Sequence, residues 1–295
     1  MPSATSRRGP TGDTNAVPSV LITGSATGIG LATAVETARR GWTTIASMRD
    51  PARGDRLRAA AAEAGAAEHL VVEALDVTDA HSIAAALPRV LARTGGRLDA
   101  VVHNAGIAAA GAFEDLPEAE LRRVMETNFF GVLALTRALL PTLRAQRSGR
   151  IVVVSSNSAY AGEPANSIYV ASKWAIEGWA ESLAYEVEPF GLDVVLIEPG
   201  PYRTEIWERT PRILPEGSPY TPWLRRLEAA IDAKVLASAR DPREVATVIA
   251  TALAAARPRF RYPVSPQAWI GHAMRGIVPT RAQRWLVNRL LGLGS

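Results

Sequence analysis

The chain has 295 residues, 47% of them hydrophobic and 21% charged, with a net charge of +4. That is enough apolar material for a large buried core, which excludes a disordered chain and leaves room for one large α/β domain. There is no cysteine, so disulfides and thiol nucleophiles are excluded, and His69, His81, His103 and His272 show no ligand spacing, so no metal site is expected.

The positive charge comes from arginines spread along the chain rather than gathered into one patch; nucleic acid is not an expected partner. Residues 1–18 are polar and rich in Gly, Pro, Ser and Thr, and read as a flexible tail ahead of one domain spanning 19–295. Arg7-Arg8 resembles an export signal, but no apolar segment follows it before the first strand. No apolar run approaches the ~20 residues of a membrane span. A cytoplasmic location is the expectation.

The first strand is read at 19–23. It is followed by Thr23-Gly24-Ser25-Ala26-Thr27-Gly28-Ile29-Gly30 and a helix over 30–40. Glycines between a strand and a helix permit a tight turn and bring backbone N–H groups and a helix N-terminus to a pyrophosphate. The spacing GxxxGxG differs from the general dinucleotide fingerprint GxGxxG, so this turn alone is a moderate signal.

A second strand over 42–47 runs into Met48-Arg49-Asp50-Pro51. A free ribose 2′-hydroxyl wants a carboxylate here and a 2′-phosphate wants a cation. Met48 stands where the acid is expected and Arg49 follows, so NADP(H) is favoured over NAD(H). Asp50 could serve a hydroxyl instead, but before Pro51 it also reads as a turn or cap residue. A helix over 54–64 leads to a third strand over 69–75, ending at Asp76-Val77, then a helix over 79–93. The fourth strand, 100–103, ends at Asn104-Ala105-Gly106.

A long helix is read over 117–147, with Asn128 inside it. The fifth strand, 150–156, closes on Ser155, Ser156 and Ser158, three hydroxyls that the pattern alone does not separate. A helix over 169–189 opens with Tyr169-Val170-Ala171-Ser172-Lys173, whose Tyr and Lys share one helical face. An ammonium one turn away favours the phenolate and lowers a phenol pKa of about 10 towards the working range. A strand over 193–198 ends at Pro199-Gly200, and a further strand is read at 259–264. Asp241-Pro242-Arg243-Glu244 resembles a capping box opening a helix. Strand–helix alternation with β-branched, nearly continuous apolar strands predicts a doubly wound parallel sheet of the Rossmann type, helices on both faces, in one domain.

The ordered set Thr23-Gly24-xxx-Gly28-x-Gly30, Asn104-Ala105-Gly106, Asn128, Ser156, Tyr169-xxx-Lys173 and Pro199-Gly200 resembles the short-chain dehydrogenase/reductases from about residue 20 to about residue 204. The resemblance implies hydride transfer between a nicotinamide and a carbonyl or alcohol carbon. Tyr169 would be the acid/base, and Lys173 would bind the nicotinamide ribose and lower the Tyr169 pKa. It singles out Ser156 to stabilise the substrate oxygen, and Asn128 to hold a water in the proton relay. For the cofactor it implies Gly24, Ser25, Thr27, Gly28, Ile29, Gly30, Arg49, Asp76, Val77, Asn104, Ala105, Gly106, Tyr169, Lys173, Pro199, Gly200 and Thr204. His103 stands where many members carry Asn, and Thr27 lacks the basic side chain that some NADP users place there.

Residues 201–240 read as an irregular lid whose aromatics point to an apolar substrate. Residues 279–293 read as an amphipathic helix that packs on the domain, the lid or a subunit contact rather than a membrane surface. A homodimer or homotetramer is expected from the resemblance. A catalytically idle NADP-binding scaffold, and an epimerase or dehydratase on the same fold, are the rival readings.

Overall fold

The computed structural model describes residues 17–274 and 277–291. Arg7, Arg8 and nearly all of the expected tail, like the last two residues of the expected C-terminal helix, lie outside these.

Seven parallel strands form one sheet in the order β3-β2-β1-β4-β6-β7-β9. They are β1 (Ser19–Ile22), β2 (Thr43–Met48), β3 (Leu70–Ala74), β4 (Ala100–His103), β6 (Gly149–Val154), β7 (Leu192–Pro199) and β9 (Arg261–Val264). Two short strands, β5 (Ala110–Gly111) and β8 (Arg212–Ile213), pair separately. The order reverses direction between β1 and β4, and that switch point opens the crevice where such sheets take ligands.

Alternation along the strands sorts side chains onto two faces. Leu21, Val101, Ile151, Val153, Val194 and Leu196 pack with residues of α3 (Ala80–Arg93), α5 (Gly131–Gln146) and α6 (Ser167–Val187). Their neighbours Val20, Ile22, Val102, Val152, Val195 and Ile197 pack with α1 (Gly28–Arg39), α2 (Asp55–Glu63) and α9 (Arg243–Ala254). Both faces are covered, which is why the strands read as continuous apolar runs. The chain is therefore a single-domain, doubly wound α/β protein.

Three expectations are corrected. The helix read over 117–147 is α4 (Glu118–Met125) and α5 joined by a π-helical turn, Glu126–Phe130. Such bulges shift a helix's register and gather at functional sites; this one carries Asn128. The lid is not irregular, since it holds α7 (Ile206–Arg209), β8 and α8 (Thr221–Lys234). Its prolines suggested breaks, yet Pro222 sits in the first turn of α8, where a missing N–H costs nothing. The capping box is half formed. Asp241 accepts from Arg243 N at 2.9 Å, but Glu244 pairs with Arg240 instead of turning back.

Beyond β9, α10 (Pro266–Met274) precedes α11 (Thr280–Leu291), and α11 packs on α8. Among the described residues no helix is long and apolar enough to cross a membrane.

Candidate active site

The turn after β1 is built around glycine. Gly24 has φ +68°, and a Cβ there would stand 2.8 Å from Ala105 Cα. At Gly30 a Cβ would stand 2.3 Å from both Asn104 Nδ2 and Gly24 O. Only bare Cα atoms let the turn after β4 close on the turn after β1. Asn104 stitches the two, donating Nδ2 to Thr23 O at 2.9 Å and Gly24 O at 3.1 Å. Thr23 Oγ1 accepts from Asn104 N and Ala105 N.

Thr27 precedes α1 in extended backbone with no side-chain cap, and no acid lies in the helix's first turn. The N–H groups of that turn are thus left to an anion. Ser25 is turned inward, fully buried, its Oγ donating to Ile22 O at 3.0 Å. Its side chain is therefore unavailable to a cofactor. Ile29 is partly buried and packs on the core. Thr204, from the loop after β7, lies over Gly28, and Glu205 beside it pairs with Arg56 of α2. Pro199 ends β7, and Gly200 follows against Ser265.

At the end of β2, Arg49 is exposed, while Asp50 accepts from Ala52 N at 3.0 Å as a cap. Past β3, Asp76 Oδ1 accepts from Thr78 N and Thr78 Oγ1, and Val77 is buried. Gly106 brings the turn after β4 to Asn128 and Lys173.

The four expected catalytic residues converge at this edge. Asn128 is buried, with Oδ1 accepting from Ile107 N at 2.9 Å and Nδ2 donating to Ile107 O and Ser172 Oγ. Its amide is thus spent on architecture. Lys173 Nζ donates to Val154 O at 3.0 Å and lies 5.5 Å from the Tyr169 ring centre. The Ser156 hydroxyl stands beside the Tyr169 phenol and favours its ionised form. Of the rival serines, Ser155 buries an Oγ without a partner, whereas Ser158 is linked to Ser156 at 3.0 Å. His103 ends β4, its Nε2 bonded to Thr136 Oγ1; burial pushes its pKa down to about 3, so the ring is neutral.

Burial dominates the electrostatics. It pushes the Tyr169 phenol up to about 12, against the lowering effect of the Ser156 hydrogen bond and with a further rise from Glu163. It pulls Lys173 down to about 8, partly opposed by Glu177. Desolvation, not the expected lowering by the lysine neighbour, therefore sets the direction of the phenol's shift.

Sequence reasoning missed Glu163. It is partly buried and accepts from Ser158 Oγ and Asn166 Nδ2, both at 2.8 Å. One signal pointed to it, since it is the sole carboxylate between Ser156 and Tyr169. Also missed was the pairing of β5 with β8, which ties residues 201–240 to the segment after Gly106. Among the described residues no cluster of acids and histidines suits a metal.

Residues 18–212 match the family described as short chain dehydrogenase. The uncharacterized oxidoreductase YusZ of Bacillus subtilis is 35% identical over 92% of this chain and 97% of its own. Human 17-beta-hydroxysteroid dehydrogenase type 1 is 38% identical over 82% of this chain and 76% of its own. A short-chain dehydrogenase from Streptomyces avermitilis superposes with a TM-score of 0.75 at 32% identity, covering 95% of this chain and 96% of its own. The chain belongs to the short-chain dehydrogenase family of oxidoreductases.

Proposed function

We propose that this oxidoreductase is NADP(H)-dependent and moves a hydride between nicotinamide and the carbonyl or secondary alcohol carbon of an apolar substrate, with Tyr169 as acid/base. The observation that carries the reading is the meeting of the Tyr169 phenol, the Ser156 hydroxyl and the Lys173 ammonium at the carboxyl edge of the sheet. The uncapped start of α1 and the bare glycine turn suit a pyrophosphate. Bound NADP(H) would supply or accept the hydride. Ser156 and Tyr169 would hold the substrate oxygen by hydrogen bonds that strengthen as charge develops on it. With its pKa near 12 the phenol keeps its proton at neutral pH and is armed to donate it in reduction. Lys173 would hold the nicotinamide ribose and steady the phenolate left behind.

The choice of NADP(H) rests on Arg49, exposed at the end of β2, and on Asp50, whose carboxylate is occupied by its cap. An apolar substrate is supported by the lid, whose Leu224 and Leu227 are buried with Ala112 beside Ala165 and Trp223. The steroid relative points the same way. The large apolar residues Trp174 and Tyr185 stand exposed on α6, which supports a homodimer or homotetramer.

The test is to titrate NADPH and NADH by fluorescence, then assay estrone, a long-chain methyl ketone and an aryl ketone with the tighter cofactor. Tyr169→Phe should keep cofactor binding and lose turnover by about 10²-fold or more. Turnover that survives in Tyr169→Phe sinks the assignment.

A further inference from the structure

Behind the catalytic serine runs a chain of hydroxyls that ends on a carboxyl group. Ser156 Oγ lies 3.0 Å from Ser158 Oγ, which lies 2.8 Å from Glu163 Oε1. Glu163 Oε2 is fixed by Asn166 Nδ2 at 2.8 Å. At the other end Ser156 stands beside the Tyr169 phenol, whose pKa its hydroxyl lowers. Ser156 and Ser158 are both buried; Ser156 Oγ also accepts from Ser158 N at 3.1 Å and has a longer alternative acceptor in Asn157 Oδ1 at 3.3 Å.

Each serine hydroxyl has one proton to donate, so the state of the far end biases the direction of the whole chain. An ionised Glu163 only accepts. It accepts a hydrogen bond from Ser158, whose oxygen then accepts from Ser156 and draws the Ser156 proton away from Tyr169 and the substrate. A protonated Glu163 can donate to Ser158 through Oε1 while Oε2 still accepts from Asn166. Ser158 then donates to Ser156, and the Ser156 proton is released towards the reacting oxygen. Reversal needs one proton gained from solvent at Glu163 and two hydroxyl rotations, with no bond made or broken elsewhere.

We infer that Glu163 is a positioning residue whose protonation state, relayed through Ser158, decides whether Ser156 donates its hydroxyl proton to the substrate oxygen. The inference rests on the oxidoreductase reading above. Burial raises the Glu163 carboxyl above the ordinary range, which brings the protonated form closer to working pH.

The groups around Glu163 are few. Ser158 faces it from the turn after β6, and Asn166 and the Tyr169 phenol face it from the start of α6. On α10, which packs on the same turn, His272 is directed at Tyr160 and Glu198. On the lid helix Glu228 and Asp232 are directed at Arg212.

Two readouts test this on the full-length protein. In the first, kcat for NADPH-dependent reduction is followed against pH with the best ketone of the panel above. Wild type should lose about tenfold as pH rises through the Glu163 ionisation, the worth of one hydrogen bond to a charged oxygen. Glu163→Gln should remove this step, because its amide can donate to Ser158 while its oxygen accepts from Asn166. Ser158→Ala should also remove it, and at a lower kcat. A step due to Lys173, near pH 8, should remain in all three. Profiles of both variants that overlay wild type overturn the inference, while an inactive Tyr169→Phe in the same assay leaves the oxidoreductase reading standing.

The second readout needs no substrate. The infrared difference between wild type and Glu163→Gln isolates the carboxyl band of Glu163, and its titration midpoint should shift in a Ser158→Ala background. An unmoved midpoint overturns the relay even if no ketone in the panel is reduced.

Discussion

The side-chain amide of Asn128 and the peptide unit of Ile107 exchange two hydrogen bonds, at 2.9 and 2.8 Å, in the manner of a strand pair. The third bond, from Nδ2 to Ser172 Oγ at 3.0 Å, ties the π-helical turn to α6. Asn128 is thus a joint between the segment after β4 and the helix that carries Tyr169 and Lys173.

Removing that joint leaves the half-buried N–H and carbonyl of Ile107 without partners. Asn128→Ala should cost about 2–4 kcal/mol, since each orphaned buried group costs about 1–3 kcal/mol. Asn128→Asp should also destabilise near neutral pH, because its carboxylate would face the Ile107 carbonyl. Urea unfolding midpoints measure both. A midpoint for Asn128→Ala within error of wild type refutes the joint.

The second prediction concerns Lys173, whose pKa burial lowers from 10.5 to about 8. Below 8 both folded and unfolded chains hold the proton, so this group gives stability no slope. Between about 8 and 10.5 the unfolded chain holds more protons than the folded one, so stability rises with pH. Lys173→Met has no such slope. The stability gained by Lys173→Met over wild type should therefore be largest at neutral pH and shrink by about pH 10. Equal differences at the two ends would show that the ammonium is not buried at this cost.

Much of this architecture was legible in the sequence, for a definite reason. Strands such as Val20-Leu21-Ile22 and Val101-Val102 are apolar on both sides because helices cover both faces, and Gly24, Gly28 and Gly30 mark a turn that tolerates no side chains. The Tyr169–Lys173 spacing is a helical repeat, so it too is visible in one dimension. What stayed hidden lacks a repeat. The π-turn around Asn128 adds no distinctive residue to a helical pattern. The prolines of the lid signal breaks as readily as helix starts. The string from Ser156 through Ser158 to Glu163 depends on a turn whose path no periodicity reports.

A third prediction comes from the underside of the site. Arg261 donates to Glu198 at 2.7 Å and pairs with Glu177 and Glu181, and Tyr160 donates to Glu198 at 2.6 Å. Glu198 and Glu177 are fully buried. Replacing Arg261 by Met strands buried carboxylates, which should cost about 3–5 kcal/mol near neutral pH. Burial and the charge of Glu177 already raise the Glu198 pKa. A raised carboxylate pKa favours the folded state where the group is protonated, so the deficit should ease as pH falls. A deficit in Arg261→Met that is small, or flat with pH, would count against a charged network at this position.

The last prediction sets one substitution against itself at two glycines. In Gly30→Ala the new Cβ would meet Asn104 Nδ2 and Gly24 O at 2.3 Å, far inside contact distance, and backbone must move to admit it. Because that contact joins the turns after β1 and β4, the shift falls on the proposed pyrophosphate seat. NADPH affinity should drop by about 10- to 100-fold, the equivalent of 1–3 kcal/mol of overpacking. In Gly178→Ala, within α6, the new Cβ meets nothing within 4 Å. There alanine only restricts the unfolded chain and should stabilise by about 0.5–1 kcal/mol, with NADPH binding untouched. Fluorescence titration and thermal unfolding of the two variants side by side give the comparison. If Gly30→Ala bound NADPH as wild type does, the closure of the two turns would not be what shapes the cofactor site.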